Sequence, residues 1–306
     1  MTETESKTGE AGRPPASRGT IHQEDAVIIE RQDFAGDQYW LRLQAPATAA
    51  AARPGNFVHL VCDPELPLRR PMSIMRAGAE AGWIEILFKA HGRGTRLLAA
   101  RQVGEQLNLL GPIGAPFRPE EKRRRPLLIG GGVGIPPMLF LADWLRQSAG
   151  GARPFVLMGS EVPFPFTVKP SRILVPGIPE GVIAAMPLLD DWGIPSRLAS
   201  GRGFPGCYQG LVTDLTRHWL QGLDAETLQE IEVFACGPEP MLRAVATLAR
   251  EFGLPCQISL EEYMACGVGG CAGCTVPVRT AQGPTMLRVC VDGPVFDAAE
   301  VYPVSV

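Results

Sequence analysis

Four of the chain's eight cysteines, Cys266, Cys271, Cys274 and Cys290, fall in one run, MACGVGGCAGCTVPVRTAQGPTMLRVC. Three thiols are spaced C-x4-C-x2-C and the fourth follows after fifteen residues, which is the ligand spacing of a 2Fe-2S cluster. Thiolates are soft ligands that suit iron and sulfide, and a loop that brings three of them to one small cluster must turn tightly. Gly267, Gly269, Gly270 and Gly273 take side-chain bulk out of that loop and admit positive φ, so that N–H groups can be aimed at sulfur. Zinc held by four cysteines is the competing chemistry, but such sites pair short C-x2-C knuckles on both sides, whereas Cys290 stands alone. The spacing predicts one-electron transfer.

Two further segments carry the pattern of anion sites. In LLIGGGVGIPPM, a strand-like run leads into Gly130, Gly131, Gly132 and Gly134 and then into a helix start at Pro136 and Pro137. Unpaired N–H groups and the macrodipole at such an N-terminus favour a phosphate, and proline suits a first turn whose N–H groups are unpaired anyway. A tight turn without a ligand is the ordinary alternative, since the pattern is not a strict G-x-G-x-x-G. FACGPEPM repeats the strand-turn-helix character and places Cys236, Gly237 and Pro238 at a strand's carboxyl end, where open α/β sheets bind ligands. Taken alone, Cys236 reads as a small buried hydrophobe. Earlier in the chain, Arg69-Arg70-Pro71-Met72-Ser73 and Gly92-Arg93-Gly94-Thr95 offer a guanidinium, a hydroxyl and a turn of N–H groups, which together suit a flavin and its pyrophosphate. Each is ordinary by itself, and their order ahead of a nucleotide-type segment and a cysteine loop gives them weight.

The elements that must position these groups fall into an α+β multidomain order. Val27–Leu43, Asn56–Cys62, Trp83–Phe88 and Gln106–Leu110 read as short strands punctuated by Pro and Gly, as in a small β-barrel. From Pro126 to about Leu254, strand-like PLLIGG, PFVLMG, RILVPG and IEVFACG alternate with helical PPMLFLADWLRQ, VTDLTRHWLQGL and PEPMLRAVATLAREFG, which predicts a parallel sheet with crossover helices. The expected division is a disordered polar tail at 1–21, a β-barrel domain at 22–122, an α/β parallel-sheet domain at 123–255 and a small cluster module at 256–306. Between the first two domains, EEKRRR at 120–125 lies between two prolines and reads as a solvated linker rather than a binding patch. At 306 residues, 45% hydrophobic and with a net charge of −3, the chain can bury several cores and has no nucleic-acid footprint. Cys62, Cys207, Cys236 and Cys256 are scattered without a disulfide framework, and no signal-like or spanning apolar stretch occurs, so a cytoplasmic protein with no membrane association is expected.

The segments RRPMSI, GRGTRLLA, GEQLNLLGPIG, IGGGVGIPP, FACGPEPML, SLEEYMACGVGGCAGC and VCVDGPVFDAAEV together resemble the ferredoxin-NADP reductase superfamily, and within it the electron-transfer subunits of NAD-dependent dihydroorotate dehydrogenases. The resemblance implies FAD, a 2Fe-2S cluster and NAD as cofactors. It carries Arg70, Pro71, Met72 and Ser73 to the flavin strand and Leu87, Phe88, Lys89, Gly94 and Thr95 to a second flavin segment. It carries Gly130, Gly131, Gly132, Gly134, Cys236, Gly237 and Pro238 to the nicotinamide nucleotide, and the four loop cysteines to the cluster. It also implies a partner, an FMN-containing dihydroorotate dehydrogenase catalytic subunit in a heterotetramer of two of each, and a task in pyrimidine biosynthesis. No catalytic base is assigned here, and His22, His59, His91 and His218 read as surface or core packing. The alternatives are a reductase of the same superfamily serving a hydrogenase, a glutamate-synthase-like enzyme or an oxygenase, and a zinc-stabilised binding module. Two departures stand out: Met72 replaces the usual Phe or Tyr, leaving a thioether to touch the flavin, and Ser200-Gly201-Arg202-Gly203 with Phe204–Cys207 replaces an acidic D-G-S segment.

Val295 and Phe296, apolar and close after the last ligand, are expected to face a partner. After the strand Phe155–Met158 the chain offers Ser160 and Glu161 and no local arginine, which favours NAD over a 2′-phosphorylated nucleotide. NADH is therefore expected to reduce the flavin with a higher kcat/KM than NADPH in anaerobic stopped-flow assays, and the opposite order would refute that reading.

Overall fold

The computed structural model describes residues 19–148 and 150–303. The tail expected at 1–21 therefore lies, up to residue 18, outside the described residues.

The first unit is a closed six-stranded antiparallel barrel: β1 (His22–Phe34), β2 (Gln38–Gln44), β3 (Phe57–Leu60), β4 (Arg70–Gly78), β5 (Trp83–Lys89) and β6 (Gln106–Ile113), in the order β1-β2-β5-β4-β3-β6. Two short helices, α1 (Pro46–Ala51) and α2 (Arg93–Ala100), fill its connections. Four strand-like runs were legible in the sequence, and the structure has six strands. Val27–Leu43 is two strands broken at Gly36 and Asp37, both at positive φ, where the chain reverses. RRPMSI, read as a ligand segment, is also the start of β4. Alternation sends Val58, Leu60, Met72, Ile74, Ile84 and Ile86 into the barrel interior, while Leu87 and Met75 pack toward the second unit.

That unit is built on a seven-stranded sheet. In chain order it contains β7 (Arg125–Gly131), α3 (Ile135–Gln147), β8 (Phe155–Gly159), the small pair β9 (Lys169–Pro170) and β10 (Ala184–Ala185), α4 (Pro187–Asp191), β11 (Ser196–Ser200), β12 (Tyr208–Gln209), α5 (Val212–Gln221), α6 (Ala225–Gln229), β13 (Ile231–Cys236), α7 (Glu239–Glu251) and β14 (Cys256–Ser259). A two-stranded hairpin, β15 (Thr275–Thr280) with β16 (Gly283–Arg288), follows the cysteine loop, and β17 (Val295–Asp297) and α8 (Ala298–Val301) end the described chain. The sheet order is β12-β11-β8-β7-β13-β14-β17, parallel until β17 adds antiparallel to β14. Thus β14 and β17, both within 256–306, are strands of the large sheet. Among the described residues no helix is long and apolar enough to cross a membrane.

Two expectations fail locally, the second in part. RILVPG is not a strand. It lies between β9 and β10, with Leu174 94% exposed, because prolines at 170, 176 and 179 withhold ladder donors; the strand is SRLAS, β11. The basic run at 120–125 is a solvated linker only in part: Glu120, Glu121, Lys122 and Arg124 are exposed, but two of its arginines are held. Arg123 Nη1 donates to the carbonyls of Gln229 (2.9 Å) and Ile231 (2.8 Å), and Arg125 Nε meets Glu230 at 2.6 Å, which pins the run beside β13.

The two units are joined by α3 lying on β4 and by a ladder of cations and rings. Arg42 stacks on Trp40 and Trp83, Arg76 on Trp83 and Trp192, and Arg146 on Trp192, with guanidinium-to-ring distances of 4.6–5.5 Å. Glu85, its side chain 2% exposed, neutralises the ladder through Arg42 at 2.8 Å and Arg76 at 3.4 Å, and Arg76 also faces Asp143 of α3 at 3.8 Å. Removing the acid leaves Arg42 with only the exposed Glu30 and Arg76 with only the more distant Asp143. Glu85→Ala should cost about 3 kcal/mol, read as a lower urea midpoint; an unchanged midpoint would show that the ladder does not need its counter-ion.

Candidate cluster, flavin and nucleotide sites

The cysteine loop leaves β14 and runs from Leu260 to Cys274 without strand or helix. It turns through Gly267 at φ +69° and Gly269 at φ +83°, conformations that side chains with a Cβ rarely adopt. The four thiols fall into two pairs. Cys274 and Cys290, each 3% exposed, lie with sulfurs 3.3 Å apart, well beyond a disulfide bond and near the roughly 3.7 Å that follows from bonds of about 2.3 Å to one tetrahedral metal. Cys266 and Cys271 form the other pair, the Cys271 side chain acting to lower the Cys266 thiol. Among the described residues no group of three His, Cys, Asp or Glu side chains is set to share a single ion. Two pairs, each for its own iron, suit a two-iron centre better than one four-coordinate zinc.

The backbone supports the negative charge that such ligands carry. Burial works to raise the Cys266 thiol, but hydrogen bonds from the N–H groups of Val268, Cys271 and Gly270 and from the Cys271 side chain outweigh it and bring it down to about 7. The Gly273 N–H donates to Cys271 Sγ at 3.4 Å. Burial and the adjacent Cys274 push Cys290 up to about 12, with the Gly269 N–H acting the other way. Arg288 anchors the loop from outside, its Nη1 donating to the Gly269 carbonyl at 3.2 Å.

On the barrel, Arg69 and Arg70 part company. Arg69 Nη1 donates to the carbonyls of His59 and Asn108, both at 3.0 Å, and so ties β4 to its neighbours. Arg70 reaches over α2: a Cβ at Gly94 would lie 2.8 Å from its Nε. Thr95 closes that helix start by accepting from the N–H groups of His91 and Gly92, each at 3.1 Å. A guanidinium over a glycine at a helix N-terminus is a cradle that fits a pyrophosphate. Pro71 and Ser73 flank it on β4. Met72, 7% exposed, belongs to the barrel interior, which leaves little of the thioether to touch a flavin. Phe88 is likewise interior and stacks on Tyr39 at 5.6 Å. Leu87 is buried and Lys89 partly exposed.

At the nucleotide turns, β7 and β13 run side by side with Gly130 opposite Cys236. Three of the four glycines read as phosphate-facing are also required by packing. A Cβ at Gly130 would press on Ile135 at 3.0 Å, one at Gly131 on Met241 Sδ at 2.5 Å, and one at Gly134 would overlap the Cys236 carbonyl. Gly132, at φ +54°, opens onto free space. Cys236 is fully buried and burial raises its thiol, so its side chain is the small hydrophobe of the alternative reading, and only the backbone through Gly237 and Pro238 can meet a ligand. At the end of β8, Ser160 is occupied by its own turn, donating to Val162 O at 2.7 Å. Arg202, from the loop after β11, donates from Nε to the Glu161 carbonyl at 3.1 Å. The sequence after β8 shows no arginine, and the fold delivers one from forty-one residues away.

Val295 and Phe296 are 6% and 1% exposed as part of β17. They form core rather than a partner surface, because β17 completes the sheet. The exposed apolar side chains around the cysteine loop are instead Tyr263 (95%), Val268 (50%) and Met286 (57%), which the sequence does not single out. A groove of about 410 Å³ between the barrel and α3–α4, lined among others by Trp40, Arg42, Arg76, Leu139 and Lys169, includes neither the loop cysteines nor the glycine turns.

Each buried thiol of the Cys274–Cys290 pair should be indispensable. Cys290→Ser is expected to abolish the bound iron and acid-labile sulfide of anaerobically purified protein, whereas Cys256→Ser, in a buried cysteine of the sheet, should leave both intact; full iron in the first variant would discard the ligand set.

A family profile described as the iron-sulfur cluster binding domain of dihydroorotate dehydrogenase B matches residues 261–302. The dihydroorotate dehydrogenase B (NAD(+)) electron transfer subunit of Shouchella clausii (strain KSM-K16) is 34% identical over 280 residues, covering 90% of this chain and 96% of that protein. Its counterpart in Bacillus cereus (strain AH187) is 32% identical over 286 residues, covering 92% and 99%. Among solved structures, the NADH-dependent reduced ferredoxin-NADP oxidoreductase matches with a TM-score of 0.71 at 25% identity over 91% of this chain and 90% of that one. A ferredoxin reductase of carbazole 1,9a-dioxygenase shares the fold at a TM-score of 0.59 and 23% identity, covering 77% and 67%. With nearly the whole length matched above 30% identity, and with the barrel, the parallel sheet and the paired thiols in place, the chain belongs to the family of dihydroorotate dehydrogenase B electron-transfer subunits.

Proposed function

We propose that this chain works in the cytoplasm with an FMN-containing dihydroorotate dehydrogenase catalytic subunit, two copies of each, and passes the electrons of dihydroorotate oxidation to NAD for pyrimidine biosynthesis. The observation that carries the reading is the loop of two thiol pairs packed against the barrel beside the strand that bears Arg70 and Ser73. When bound, the cluster relays single electrons and FAD combines them into the hydride that NAD accepts.

The chain's own residues supply binding and orientation. Cys266 with Cys271, and Cys274 with Cys290, would hold the two irons of a bound cluster, and N–H groups around the loop would offset the charge of the thiolates. Arg70 and the turn Gly94-Thr95 bind the FAD pyrophosphate, while Pro71, Ser73 and the backbone of Met72 and of Leu87–Lys89 line its ring. Gly132 and the first turn of α3 receive the NAD phosphates, and the Gly237-Pro238 turn closes the other side. On this reading residues 22–122 serve FAD and 123–255 serve NAD, while 256–306 carry the cluster and lend two strands to the sheet. No side chain of this chain is assigned to proton abstraction from a pyrimidine. That step belongs to the partner.

Exposed Tyr263 and Val268 stand on the cluster loop itself, and an aromatic anchor ringed by smaller apolar contacts is the usual centre of an interface. The decisive assay is anaerobic dihydroorotate-dependent NAD reduction by the complex that co-purifies with this chain. The double variant Tyr263→Glu/Val268→Glu should lower it at least tenfold and reduce co-purification, with NADH still bleaching the flavin. If the unsubstituted complex shows NADH bleaching but no dihydroorotate activity, the chain serves another redox enzyme.

A further inference from the structure

His59 is a buried polar group that the reading above leaves without a task. It stands on β3, where Val58 and Leu60 point into the barrel, and it is fully buried on the outer side, opposite Pro71 of β4. The cysteine loop lies directly over its ring: a Cβ at Gly267 would sit 2.6 Å from Nδ1 and 3.2 Å from Cγ. Neither ring nitrogen has a hydrogen-bond partner of good geometry, although the backbones of Cys266 and Arg69 are near enough to favour the protonated ring. Burial first, and the Arg69 charge second, nevertheless hold the imidazole down to about 4. In either protonation state the ring carries at least one N–H donor.

A buried N–H that meets nothing is rare in native interiors, and such groups are usually satisfied by water, an ion or a ligand. The ligand expected on this side is a sulfur-rich cluster held by Cys266. We propose that the His59 imidazole donates a hydrogen bond to the sulfur of the 2Fe-2S centre at Cys266, stabilising the reduced cluster and setting its potential from the barrel strand next to the flavin. Hydrogen bonds to cluster and ligand sulfurs are among the protein's levers on potential. Arg69 acts on the same strand, its donation to the His59 carbonyl fixing where the ring emerges, and Gly267 is required because any Cβ there would displace the imidazole.

The inference rests on the cluster assignment and is tested on the full chain in its complex, under anaerobic conditions. The unsubstituted protein is prepared with histidine ¹⁵N-labelled in the ring, and His59→Leu and His59→Asn are made beside it. Asn keeps a donor near the place of Nδ1, and Leu keeps volume without one. Pulsed EPR of the reduced cluster should show a coupled imidazole nitrogen in the unsubstituted protein and none in His59→Leu. The electron partition between cluster and flavin should move about tenfold against the cluster in His59→Leu, equivalent to 59 mV for one electron, and His59→Asn should recover most of it. A missing imidazole coupling in the unsubstituted protein overturns the proposal, as does an unchanged cluster midpoint in a fully loaded His59→Leu or a shift of the flavin midpoint instead. If His59→Leu fails to load, the labelled spectrum decides alone. An unsubstituted protein without iron or labile sulfide would remove the cluster assignment itself, and this inference with it.

Discussion

The position of the cysteine loop depends on being clamped, because it has no ladder or helix of its own. Fifteen residues from Leu260 to Cys274 run without regular hydrogen bonding, so neighbours must supply what a strand or helix would have supplied. The barrel presses on Gly267 through His59, Arg288 holds Gly269, and the loop's two ends run into β14, paired with β17 in the large sheet, and into β15 of the hairpin. Electron transfer needs a fixed and short separation between centres. Here that separation is set by packing across the barrel and the sheet rather than by the loop's sequence alone.

The same clamp explains why the cluster segment is not an appendage. Phe296 is core, and the Leu260 N–H donates to the Pro294 carbonyl at 2.9 Å. The chain thus returns to the sheet after the hairpin β15–β16. Between the barrel and the sheet, α3 on β4 and the arginine-tryptophan ladder around Glu85 hold β4 against the start of the second unit. Guanidinium groups sandwiched between rings keep their charge satisfied while excluding water, and the buried acid prevents mutual repulsion.

Glycine was the most readable residue, and packing adds a second reason for it. Its occurrence before α3 correctly marks a strand-turn-helix, yet Gly130, Gly131 and Gly134 are needed because Ile135, Met241 and the Cys236 carbonyl press against them. Gly132 is the one of the four whose missing Cβ leaves open space. Arginine shows the same limit: Arg69 and Arg70 are adjacent in sequence, but strand alternation gives one to the backbone of β3 and β6 and the other to the helix start at Gly94.

The sequence by itself determined the four thiols, the glycine turn ahead of α3 and most of the alternating strands and helices, because each is a local pattern: ligand spacing, φ freedom and apolar periodicity act within a few residues. It did not determine that β17 closes the sheet, that Arg202 reaches Glu161 from across a loop, that RILVPG is irregular while SRLAS is β11, or that a histidine isolated on β3 lies beneath Cys266 and Gly267. Those facts belong to the tertiary structure alone. Strand pairing and burial are decided between segments far apart in the chain, and an isolated polar residue carries no periodicity by which its eventual neighbours could be read.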